Sequence, residues 1–130
     1  MTTETAMAPK AAAAPAAHDE KACGEFIVPV RDTLDILSGK WKLPILGALK
    51  FGKKRFKEIE REIPHITDRM LSKELKELEI NELITRTVYA TIPVTVEYEV
   101  TPYGRTLDTV LLAMKDWGQL HRKRIMGKKN

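Results

Sequence analysis

The sequence predicts an α+β domain, mostly helical, in which four helices precede a β-hairpin and one long helix closes the chain. Three observations carry this. Apolar residues recur every three or four positions from Val30 to Ile80, one face of a helix. Between Leu83 and Val100 the period falls to two: Val96, Tyr98 and Val100 alternate with Glu97 and Glu99. Thr101-Pro102 then marks a helix start, a hydroxyl N-cap followed by proline at the first helical position.

Each element follows from its own residues. Val30, Leu34 and Leu37 share a face of the first helix, Val30 to Leu37, and Ser38-Gly39 ends it. The second helix spans about 40–49, with Trp41, Ile45, Ala48 and Leu49 inward. Pro44 sits in its first turn, where the missing N–H has no partner to lose. Phe51-Gly52-Lys53-Lys54 reads as a turn. Phe56, Ile59 and Ile63 form the inner stripe of a short third helix, and Pro64-His65-Ile66 breaks the chain. Thr67 is the expected N-cap of a fourth helix running to about Ile80, with Leu71, Leu75 and Leu78 inward. Asp68 in its first turn suits the positive end of the helix dipole. The strands are Leu83–Tyr89 and Val94–Val100, linked by Ala90-Thr91-Ile92-Pro93. One helix is expected from Thr101-Pro102 to about Met126, carrying Leu107, Val110, Leu111, Met114, Trp117 and Leu120. Two short helices around a tight turn, followed by a hairpin, make a winged helix-turn-helix with a two-stranded β wing.

Composition narrows the function. The 130 residues hold 22 basic and 18 acidic side chains, a net charge of +4. Residues 1–22 are rich in Ala and Pro and contain no Leu, Ile, Val, Phe, Trp or Tyr. Such a stretch cannot bury enough apolar surface to offset its ordering entropy, so it is expected to be disordered and residues 23–130 to form the domain. Lys10 and two prolines interrupt the alanine run, unlike a secretory signal, so a cytoplasmic protein is expected. No apolar run is long enough to span a bilayer. Residues 30–130 hold 20 basic and 14 acidic side chains, net +6, which admits double-stranded DNA as a partner. His18, His65 and His121 are far apart, without metal-ligand spacing, and there is no phosphate-binding glycine loop or nucleophile elbow. Neither an enzyme nor a cofactor or metal is expected.

The motifs resemble one family. Pro29-Val30-Arg31-Asp32-Thr33-Leu34-Asp35-Ile36-Leu37-Ser38-Gly39-Lys40-Trp41 is similar to the opening signature of HxlR-type transcriptional regulators. Arg55-Phe56-Lys57-Glu58-Ile59 and Ile66-Thr67-Asp68-Arg69-Met70-Leu71 resemble its helix-turn-helix. Arg86-Thr87-Val88-Tyr89 and Val96-Glu97-Tyr98 resemble its wing, and Thr101-Pro102-Tyr103-Gly104 its final helix start. The resemblance implies a prokaryotic, dimeric DNA-binding repressor or activator whose first and last helices build the dimer. Three positions depart from the pattern. Val28 stands where many members have a cysteine, and Thr95 where the wing tip is usually basic. Asn81-Glu82 stands where the recognition helix usually ends in glycine, and Asn81 is expected to take the left-handed conformation.

Residue roles follow. Arg69 is the first candidate for a base contact, with Thr67, Asp68, Ser72 and Lys73 beside it on the outer face of the fourth helix. Lys40, Lys42, Lys53, Lys54, Arg55, Lys57, Lys76 and Arg86 are candidates for phosphate contact. Thr95 predicts weak insertion of the wing into the minor groove. Val30, Leu34, Leu111, Met114, Trp117 and Leu120 are expected at the dimer interface, making the last helix a C-terminal dimerisation helix. Expected partners are DNA, a second copy of the chain and an unidentified small-molecule effector. Two other readings stay open: a redox or electrophile sensor acting through Cys23, and a winged helix that binds protein instead of DNA.

Overall fold

The computed structural model describes residues 20–128, in two compact units that meet at Ile36–Leu37. The first unit contributes most of helix α1, Glu20–Leu37. This helix is ten residues longer than the expected one and runs through Pro29. Proline removes one N–H from a helix but does not end it where flanking residues propagate. Glu20-Lys21-Ala22 and Phe26-Ile27-Val28 do so here, and the Thr33 hydroxyl donates to the Pro29 carbonyl at 2.9 Å. Of the tail expected at 1–22, residues 1–19 lie outside the described residues, and residues 20–22 form the first turn of α1.

The second unit holds α2 (Lys42–Ala48), β1 (Lys54–Arg55), α3 (Phe56–Glu62), α4 (Asp68–Ile80), β2 (Ile84–Tyr89), β3 (Thr95–Val100), α5 (Pro102–Arg105) and α6 (Asp108–Lys128). Its core joins Leu37, Ile45, Leu46 and Leu49 to Ile59, Ile63 and Ile66, the inner stripe Leu71, Leu75 and Leu78, and the strand residues Leu83, Ile84, Tyr98 and Val100. The expected hairpin forms, with Ile84 opposite Val100 and Arg86 opposite Tyr98. Lys54–Arg55 adds a third strand, and the antiparallel order is β1-β3-β2. The expected turn at 51–54 therefore ends inside a sheet. Two residues are too short for alternation to reveal, and a long-range partner, not local pattern, makes them a strand.

The last helix also departs from expectation. Thr101 caps α5 by accepting from the Gly104 N–H at 2.8 Å, and its hydroxyl donates to the Glu82 carbonyl at 2.7 Å. The helix then breaks at Thr106-Leu107 through i to i+3 bonds before α6 begins. Gly104 lets the first turn approach the hairpin closely. A Cβ there would overlap the Leu83 carbonyl oxygen and come within 2.7 Å of Val100 Cγ1. This turn is seated on the end of the hairpin, while Leu107 and Leu111 pack against the core.

Candidate nucleic-acid interface

The helix-turn-helix is set by its turn and cap. His65 takes a left-handed φ of 71° between α3 and α4, and the Thr67 hydroxyl accepts from the Met70 N–H at 3.1 Å. With Leu71, Leu75 and Leu78 buried, Asp68, Arg69, Ser72, Lys73 and Lys76 must face solvent, and they do. The structure thus brings four of the base-contact candidates, Asp68, Arg69, Ser72 and Lys73, onto the exposed N-terminal part of one helix, with the fifth, Thr67, exposed as its N-cap. In β2, Arg86 lies on the hairpin face shared with Ile84 and Tyr98, so it turns toward α4. It lines a groove with Ser72, Leu75, Lys76, Glu79 and Tyr98.

The cations divide by what they touch. Among the described residues Arg69, Lys76, Arg86, Arg55 and Lys40 have no acidic partner within ion-pair distance. Lys40 lies over the Trp41 ring at 5.0 Å. Lys57 is exposed but shared between Glu60 and Asp68, at 3.2 and 3.4 Å. Asp68 is held below the usual carboxylate range, first by its hydrogen bond with Glu60 and then by Lys57. Its carboxylate thus ties the start of α4 to α3. Lys53 is exposed and lies 3.6 Å from Glu97.

Two candidate phosphate contacts, Lys42 and Lys54, are engaged within the fold. Lys42 is only 5% exposed, its ammonium 2.6 Å from both Glu74 Oε1 and Glu77 Oε1. It starts α2 from inside the fold, with its ammonium turned to these two carboxylates. Lys54 is half-buried in β1, donating to the Ala48 carbonyl at 2.8 Å and lying 3.8 Å from Glu62. Glu74 is buried as well. The missing signal is long-range. Lys42 and Glu74 are 32 positions apart, so no helical spacing pairs them.

The wing tip is apolar. Ile92 is fully exposed, and Thr91 braces the loop by donating to the Pro93 carbonyl and meeting Thr95 Oγ1 at 2.9 Å. The dimer candidates also sort. Val30 and Leu34 are exposed on α1, and Met114, Trp117 and Leu120 on α6. Leu111 is instead half-buried, packed against the core. Val110, exposed one turn before Met114, takes its place on the stripe. The single thiol, Cys23, is exposed on α1.

A capped second helix with an open cationic edge, beside a hairpin that adds an arginine, defines a winged helix-turn-helix protein. The chain belongs to the HxlR-like helix-turn-helix family, whose model matches residues 36–126. It is similar to the uncharacterized HTH-type transcriptional regulator YdeP of Bacillus subtilis, with 52% identity over 97 residues, 75% of this chain and 76% of that protein. An archaeal HTH-type regulator from Methanothermobacter thermautotrophicus is 42% identical over 79% of each chain. Among solved structures, the redox regulator HypR in its reduced form matches at a TM-score of 0.71 and 44% identity, covering 76% of this chain and 98% of that one. The chain is a transcriptional regulator with a helix-turn-helix, not an enzyme. No helix among the described residues is long and apolar enough to cross a membrane.

Proposed function

We propose that the chain binds double-stranded DNA in the cytoplasm as a homodimer on a pseudo-palindromic operator. One observation carries this reading: Arg69, Lys76 and Arg86 stand exposed and unpaired around α4, while most nearby lysines are already held by acids. Unpaired cations lose no protein partner on meeting phosphate or a base edge. Arg69, near the N-terminus of α4, is the base reader, suited to guanine by its two parallel donors. Lys76, Arg86, Arg55 and Lys40 meet phosphates. Two copies of α4 enter successive major grooves about 34 Å apart. An effector acts by changing the angle between the two heads.

The test is fluorescence anisotropy on sites selected from a random pool, with salt titration. Tight binding to a palindrome, with a steep salt slope, is expected. Arg69→Ala should weaken it by about 1–3 kcal/mol and relax preference at one base per half-site. Failure to enrich any site would overturn the reading in favour of a protein-binding winged helix.

A second reading is favoured by the exposed thiol of Cys23 together with the likeness to a protein titled a redox regulator. Val28 replaces the usual cysteine, so sensing would fall to Cys23 on the same helix, through an intersubunit disulfide. Oxidation should change DNA affinity in the wild type and leave Cys23→Ser unmoved. Equal responses would end this reading.

A further inference from the structure

Under the exposed edge of α4 four side chains alternate in charge. Lys42 reaches up from α2 and takes one oxygen from each of two carboxylates, Glu74 Oε1 and Glu77 Oε1, both at 2.6 Å. The outer oxygens of the same carboxylates face Lys73, whose ammonium is 3.3 Å from Glu77 Oε2 and 3.9 Å from Glu74 Oε2. The two lysines are unlike. The Lys42 side chain is 6% exposed and cannot leave, whereas Lys73 is 66% exposed and can swing away from the helix. The four charges cancel. Without Lys42 the two carboxylates would have Lys73 as their only cation within ion-pair distance among the described residues, and a residual negative charge would stand on the recognition helix.

A tie between α2 and α4 needs only the buried pair Lys42–Glu74. The second short bond goes to Glu77, whose side chain is 40% exposed and needs no buried partner. Its effect is to draw charge from a carboxylate on the face where Lys73 stands. We propose that Lys42 is a positioning residue for DNA recognition: by occupying the inner oxygens of Glu74 and Glu77 it loosens their hold on Lys73 and frees that ammonium for a backbone phosphate. This rests on the DNA-binding reading above.

The experiment is a pair of double-mutant cycles on the full chain, using anisotropy on a selected palindrome at several salt concentrations. Circular dichroism first verifies that each variant is folded. Lys73→Met should lower the salt slope by about one per half-site, because one phosphate contact is lost. Lys42→Met should lower the slope by the same amount and weaken binding about tenfold. The double variant should be within about twofold of either single one, since both remove the same contact. Breaking a buried ion pair can unfold a small domain. Glu77→Gln therefore supplies the second cycle: it should tighten binding severalfold with Lys73 present and have no effect in the Lys73→Met background. Independent, additive losses, an unchanged slope in Lys42→Met, or a Glu77→Gln gain that survives without Lys73 would each overturn the inference. Absence of any binding by the wild type would instead count against the DNA-binding reading, and the inference would fall with it.

Discussion

At the scale of single residues, the end of the recognition helix shows how a local rule is met by an unexpected neighbour. The expected left-handed residue, Asn81, stays right-handed at φ −84° and uses its side-chain amide to donate to the Glu77 carbonyl at 3.0 Å. Glu82 takes the left-handed turn instead, at φ 64°. The Leu83 N–H then bonds the Leu78 carbonyl at 3.0 Å and the Glu82 N–H bonds the Glu79 carbonyl at 2.9 Å. That pair of bonds is a Schellman motif, with Leu78 and Leu83 as its apolar contact. A residue with a Cβ costs about 1–2 kcal/mol in this conformation. Glu82→Gly should therefore stabilise the fold by about 1 kcal/mol, less the entropy glycine adds to the unfolded chain. Asn81→Gly should destabilise, because it removes the side-chain bond and gains nothing at a right-handed position. Urea midpoints at constant m-value would separate the two. The sequence made a left-handed stop at 81–82 legible, since a helix ending before a strand needs one. It did not make legible which residue supplies it, because register against Leu83 decides that.

At the scale of elements, local pattern delivered α4 with its cap and the hairpin with its pairing, because each encodes its own period and ends. It missed the joints, which depend on partners far along the chain: β1 against β3, Lys42 against Glu74, Gly104 against Leu83. Gly104 is the sharpest case. Its place in the Thr-Pro-Tyr-Gly start is visible in the sequence, but only the seat of α5 on Leu83 and Val100 gives the reason. Gly104→Ala must push α5 off the hairpin, and a cost of about 2 kcal/mol or more is expected, since backbone cannot yield as a side chain can. A matched Gly118→Ala, where an added methyl meets nothing within 4 Å in mid-α6, should be neutral or stabilising by up to about 1 kcal/mol. The α2–α4 joint has a pH signature. Glu77 is held below its ordinary value of 4.5, first by the Lys42 hydrogen bond and then by that of Lys73. Burial opposes the Lys42 charge, but the bonds to Glu74 and Glu77 outweigh it and raise that lysine above 10.5. A lowered carboxyl contributes stability above pH 4.5 that is lost as the pH falls through its folded value. A raised lysine contributes below pH 10.5 and loses that contribution as the pH rises through its folded value. The joint is therefore strongest between these limits. The stability difference between wild type and Glu77→Gln should be widest near neutrality and shrink toward pH 3, as thermal melts would show.

At the scale of the whole molecule, the question is what covers the outer stripe of α6. Val110, Met114 and Trp117 follow at i, i+4 and i+7, and Leu120 extends the line; all four are exposed, Trp117 by 63%. A groove lined by Thr109, Val110, Ala113, Met114 and Trp117 runs along this face, and the Trp117 ring stacks on His121 at 5.0 Å and 10°. Leu107 and Leu111 pack against the core from the adjoining face, while Val110, Met114, Trp117 and Leu120 stay exposed, so most of this stripe is surplus to the fold of one chain. A helix-turn-helix head alone reads one half-site, and two-fold operators need two heads at fixed spacing. The proposed homodimer meets both conditions if α6 pairs with its own copy, because a two-fold interface must complement itself. Trp117 is the largest side chain on the stripe and of the type that dominates such interfaces. Trp117→Glu should therefore give a folded monomer, since the residue contributes little to the core, and sedimentation would show the change in mass. Binding to a full palindrome should fall to the level of an isolated half-site, and the slope of log affinity against log salt should drop by about half, because half of the phosphate contacts go. A variant that stays dimeric would move the interface away from α6. A monomer with undiminished palindrome affinity would leave the dimer without a part in recognition.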